Sequence, residues 1–114
     1  MKTQVIRKTG TIERPEVWTT ETDAIAEVVR VALERRVQKH GAGAYAGPHE
    51  TLGILIEEMD ELRIAVRENN AVEVWAELLD VAVAAVFGMA SLHVTGHLQG
   101  SVCTLHETKF PPDR

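Results

Sequence analysis

Glu57-Glu58-Met59-Asp60-Glu61 and Glu77-Leu78-Leu79-Asp80 lie in two segments of helical period, and their placement decides how the chain folds. Glu58 and Glu61 are three apart, as are Glu77 and Asp80. On a helix that spacing puts both side chains on one face. From Thr51 to Glu68, Leu52, Leu55, Met59, Leu62 and Val66 form an apolar stripe, which Ile54 and Ala65 widen. Glu58 falls inside that arc and Glu61 at its edge, while Glu57 points further out. A carboxylate inside an apolar stripe is costly unless it is paired, protonated or metal-bound. In the second segment, Asp80 is the only charge between Leu78 and Leu92. That stretch is apolar on nearly every side, which predicts a helix buried all round. The run Val81–Leu92 is too short to span a membrane. Four converging carboxylates repel one another, and a hard divalent cation such as Mg2+ is the natural occupant between them.

Arg67 to Asn70 is a short, turn-prone link between the two helices. Asn70-x-x-Glu73 caps the second of them, which runs from Ala71 to about His93. Upstream, Thr20-x-x-Asp23 resembles a capping box. It opens an earlier helix whose stripe is Ile25, Val28, Val29, Ala32 and Leu33, and which stops near His40 at Gly41. Gly41 to Pro48 is a loop of small residues without a Walker lysine, so it is not a P-loop. Its Tyr45 is a candidate group to stack over a ligand. Residues 1–19 read as an arm broken by Gly10 and Pro15, with no strand of strong period two. Residues 20–95 read as one helical domain and 96–114 as a tail interrupted by Gly96, Gly100 and Pro111-Pro112. The fold class is therefore all-α: an antiparallel bundle of three main helices.

Composition sets limits. A chain of 114 residues with 45% hydrophobic and 25% charged residues suits one soluble domain. Two other helices cannot cover the all-round apolar third helix. That predicts a bundle completed by oligomerisation, a homodimer or homotetramer, with the third helix at the interface. Trp75, on its Leu79/Val86 side, is expected in the core. A net charge of -5 argues against duplex nucleic acid as a partner. Cys103 is the only cysteine, so no intrachain disulfide forms. Met1–Gly10 lacks the apolar core of a signal peptide, which predicts a cytoplasmic protein without membrane partners.

EExxE followed by ExxD, with fifteen residues between Glu61 and Glu77, resembles the MazG-like family of all-α nucleoside triphosphate pyrophosphohydrolases. The resemblance covers roughly Thr20 to Leu92. It implies that Glu58, Glu61, Glu77 and Asp80 hold Mg2+, which Mn2+ can replace. It further implies hydrolysis of a nucleoside triphosphate to the monophosphate and pyrophosphate. Arg35-Arg36-Val37-Gln38-Lys39-His40-Gly41 also looks like the end of the first helix in short members. Members often hold the substrate's phosphates with cationic groups after the second acidic helix; here only Lys109 and Arg114 stand on that side.

Glu57, beside the ligands but pointing outward, is the candidate to orient or deprotonate the attacking water. Arg35, Lys39 and Lys109 are candidate phosphate contacts. A second reading is a MazG-like scaffold that binds a nucleotide or a partner without turnover. A ferritin-like di-iron centre needs Glu-x-x-His, which this sequence lacks.

Overall fold

A computed structural model describes residues 6–9 and 12–98, with side chains for residues 14–98. Three helices follow a short hairpin: α1 Thr19–His40, α2 Pro48–Arg67 and α3 Ala71–Val94. They pack together, α2 against α3 most extensively and α1 against α3. The helical body is all-α, as expected from the periodicity.

Within the arm, β1 (Ile6–Thr9) pairs antiparallel with β2 (Ile12–Pro15), Ile6 opposite Pro15 and Thr9 opposite Ile12. The sequence shows no strand of strong period two here. Strands of four residues carry too few alternations to show a period of two.

Helix boundaries follow local chemistry. α1 begins one residue early because Glu21, rather than Asp23, closes the first turn: its Oε1 accepts the Trp18 N–H at 2.8 Å. Along its exposed side Arg30 bridges Glu27 and Glu34. Gly41 ends it at φ 88°, a conformation open to glycine, with its N–H donated to Val37 O at 2.8 Å. α2 begins three residues before the expected Thr51, with Pro48 in its first turn, where a missing N–H costs nothing. The Glu50 carboxylate accepts the Ala46 N–H there. Asn69, at φ 59°, makes the turn into α3, and the Asn70 side chain caps α3 by accepting the Glu73 N–H at 3.1 Å.

The core is made of small residues. Ala65 of α2 and Ala84, Gly88 and Ser91 of α3 are buried, together with Tyr45 from the α1–α2 loop. Small side chains let α2 and α3 approach closely. A Cβ at Gly88 would lie 2.6 Å from Thr51 Cγ2. Gly88 therefore serves the contact between α2 and α3 within the chain.

α3 is not buried all round. Its outer face carries Trp75, 49% exposed, with Leu78 at 50% and Met89 at 69%. Trp75 thus stands outside the core of the single chain. By length and composition the whole of α3, unlike its central run Val81–Leu92, suffices to cross a membrane. Its inner side, however, carries Glu77 and Asp80.

Candidate metal centre

Glu58 and Glu61 come from consecutive turns of α2, Glu77 and Asp80 from consecutive turns of α3. The three-residue turn returns α3 along α2, and the close approach around their small residues brings the two acidic faces together. One carboxylate oxygen from each of the four lies within 4.8 Å of the others. Thus the four carboxylates named from spacing do converge.

Their electrostatics match that crowding. Burial, followed by the charges of Asp80 and Glu61, pushes Glu77 up to about 7. Glu58 is raised by burial and then by Asp80, Glu61 and Glu57. Asp80 is raised by burial and then by Glu61 and Glu73. Each group resists ionisation because its neighbours are ionised and water is partly excluded. No cation of the described residues forms an ion pair with any of the four.

Two oxygens of these carboxylates fit a metal. Glu58 Oε1 and Glu77 Oε1 are buried and have no hydrogen-bond partner. Such oxygens are costly unless something donates to them or is coordinated by them. Oxygens around Mg2+, at about 2.1 Å each, lie at most about 4.2 Å apart; around Ca2+, at about 2.4 Å, at most about 4.8 Å. A spread of 4.8 Å or less is thus on the scale of one divalent ion's oxygen shell.

The cluster opens on two sides. On one, Glu61 and Glu77 border a cavity of about 310 Å³ shared with Ile64, Glu68, Asn70 and Glu73. On the other, Glu58 and Asp80 border a cleft of about 580 Å³ whose opposite wall is Arg35, Arg36, Lys39 and His40 of α1. One mouth is acidic and the other faces a cationic wall.

The remaining expected site residues separate. Arg35 and Lys39 line the cationic cleft. Glu57 is exposed and outside the group of four, next to Glu58, whose ionisation its charge opposes. Lys109 lies outside the described residues. Tyr45 is not free to stack on a base: it is 5% exposed, its N–H donates to Ser91 Oγ at 2.9 Å, and its ring meets Phe87 edge-on at 4.9 Å. Sequence reasoning passed over Arg36, although it sits one turn before His40 in the basic end of α1. No signal there distinguished it from Arg35; only the packing on Phe87 does.

No family model, curated protein or solved structure matches this chain.

Proposed function

We propose that this protein is a Mg2+-dependent nucleoside triphosphate pyrophosphohydrolase of the MazG-like kind. The observation that carries the reading is the convergence of Glu58, Glu61, Glu77 and Asp80, the four positions that the resemblance implies for metal binding. Those four would hold the divalent ion, which supplies charge neutralisation to phosphoryl oxygens and acidity to a coordinated water. Water adds to the α-phosphorus, the bond to the α–β bridging oxygen breaks, and pyrophosphate leaves. Glu57, exposed beside the cluster, orients that water and accepts its proton. Arg35 and Lys39 hold phosphate oxygens across the cleft. The carboxylate and cationic walls together suit a ligand that is both metal-bound and anionic.

The active form in this proposal is a homo-oligomer built on α3. Ala71, Trp75, Leu78, Ala82, Ala85 and Met89 are spaced four, three, four, three and four apart, the pattern of a coiled-coil seam. They lie on the side of α3 opposite Ala84, Gly88 and Ser91, so a partner can cover them without disturbing the cluster.

Pyrophosphate release from a panel of triphosphates with Mg2+ tests the activity. Release by the unmodified chain, lost in Asp80→Asn, supports it. Nucleotide binding without release by the unmodified chain would leave a binding scaffold instead.

A further inference from the structure

The cationic wall holds one residue whose surroundings differ from those of its neighbours. The Arg36 guanidinium carbon lies 3.8 Å from the centre of the Phe87 ring and 5.4 Å from that of Tyr45. Its Nη1 is buried and has no hydrogen-bond partner. Glu58 and Asp80 line the same cleft, yet among the described residues Arg36 makes no ion pair with them.

Each part has a physical reading. Stacking on an aromatic face fixes the plane of a guanidinium and lowers the entropy lost when it binds. A planar, fixed fork of donors matches two oxygens of one phosphate group. A buried donor without an acceptor is costly in the empty protein and recovers that cost when an acceptor arrives. The stack itself is fixed from behind: Phe87 is held by Tyr45, and Tyr45 by Ser91 of α3. Arg35 and Lys39, by contrast, are exposed and have no such support.

We propose that Arg36 is the anion-recognising residue of the cleft, binding the terminal phosphate of a condensed phosphate whose other phosphate lies against the metal at Glu58 and Asp80. This rests on reading the four carboxylates as a metal centre. Within the last turns of α1, it makes Arg36, rather than the exposed Arg35 and Lys39, the residue that selects the phosphate. It also makes the pyrophosphate moiety, not the base, the part of the ligand that the cleft recognises.

The test uses the full chain and two probes, Mn2+ alone and inorganic pyrophosphate at saturating Mg2+. Arg36→Gln, Arg36→Lys and, as a control for overall charge, Arg30→Gln are compared. Mn2+ binding, read by electron paramagnetic resonance, is expected to be unchanged in all three. Calorimetric affinity for pyrophosphate should fall about tenfold to a hundredfold in Arg36→Gln, the loss expected for hydrogen bonds to a charged group. Arg36→Lys, which keeps the charge but not the planar fork, should fall in between, and Arg30→Gln should match the unmodified chain. Equal pyrophosphate affinity in all four proteins overturns the proposal while leaving the metal centre standing. Joint loss of Mn2+ binding, pyrophosphate binding and thermal stability in both Arg36 variants also overturns it, because the residue is then structural. Failure of the unmodified chain to bind Mn2+ removes the metal centre and this proposal with it.

Discussion

The α2–α3 pair and α1 solve different problems. α2 and α3 are joined by a three-residue turn, meet along small buried residues and present four carboxylates to one point. α1 lies more lightly against α3 and contributes cations to a wall facing that point. The tight pair can preorganise a metal centre because its geometry is fixed by backbone proximity. The looser helix supplies charge, and Arg36 in its cleft wall is fixed by an aromatic stack rather than by helix packing. The carboxylates thus sit on the two helices that pack most closely, and the cations on the one packed less closely.

Four experiments bear on that contrast. The largest effect should come from Asp80→Asn or Glu61→Gln. Loss of one ligand should cost at least about a hundredfold in divalent-ion affinity, more than loss of a supporting residue, and should abolish turnover. Melting of the metal-free protein should stay level or rise, because one repelling charge is gone. Full turnover in Asp80→Asn would separate the cluster from the chemistry.

Next in size is Met89→Glu. At 69% exposure in the single chain, a charge there is harmless to a monomer. In a seam of two α3 helices it is buried without a partner, and association should weaken about tenfold or more. Light scattering at micromolar concentration distinguishes the two. A compact monomer of the unmodified chain would refute the assembly and leave α3's outer face without a covering partner.

A smaller effect should come from the α2–α3 crossing. Gly88→Ala puts a Cβ 2.6 Å from Thr51 Cγ2. Overpacking of this kind costs about 1–3 kcal/mol, against about 1 kcal/mol gained in helix propensity. Thr51→Ser removes the offending methyl and keeps the hydroxyl that donates to Gly47 O. The double variant should melt at or above the original chain, whereas a destabilised double variant would show that the approach is not set by this contact.

The smallest expected effect is on pH dependence. Glu58, Glu77 and Asp80 are all raised in the folded protein, Glu77 to about 7. A raised group stabilises the fold while protonated. That contribution is fully present below the ordinary carboxylate range and is lost as pH rises towards about 7. Metal-free melting should therefore fall across that window, and saturating Mg2+ should remove or reverse the fall by binding the ionised form. A flat metal-free profile from calorimetry would mean that the carboxylates are not crowded.

Much of this was legible in the sequence, for physical reasons that can be named. Glu58 inside an apolar arc and Asp80 at the head of an apolar run announced themselves, because charge at such positions is expensive. The helices followed from period, and Asn70 from its capping chemistry. Other features depended on contacts between elements. Tyr45 reads in sequence as a loop tyrosine, yet its partners Phe87 and Ser91 are more than forty residues away. Trp75 reads as core because its side of α3 is apolar, but an apolar face does not state whether the same chain or another copy covers it. Arg36 reads like Arg35 until Phe87 is placed beside it.

The most direct test of the central claim is anomalous diffraction from crystals grown with Mn2+. One or more Mn2+ peaks are expected between α2 and α3, coordinated by oxygens of Glu58, Glu61, Glu77 and Asp80 at about 2.2 Å. Ordered carboxylates with no anomalous density between them at millimolar Mn2+ would contradict it.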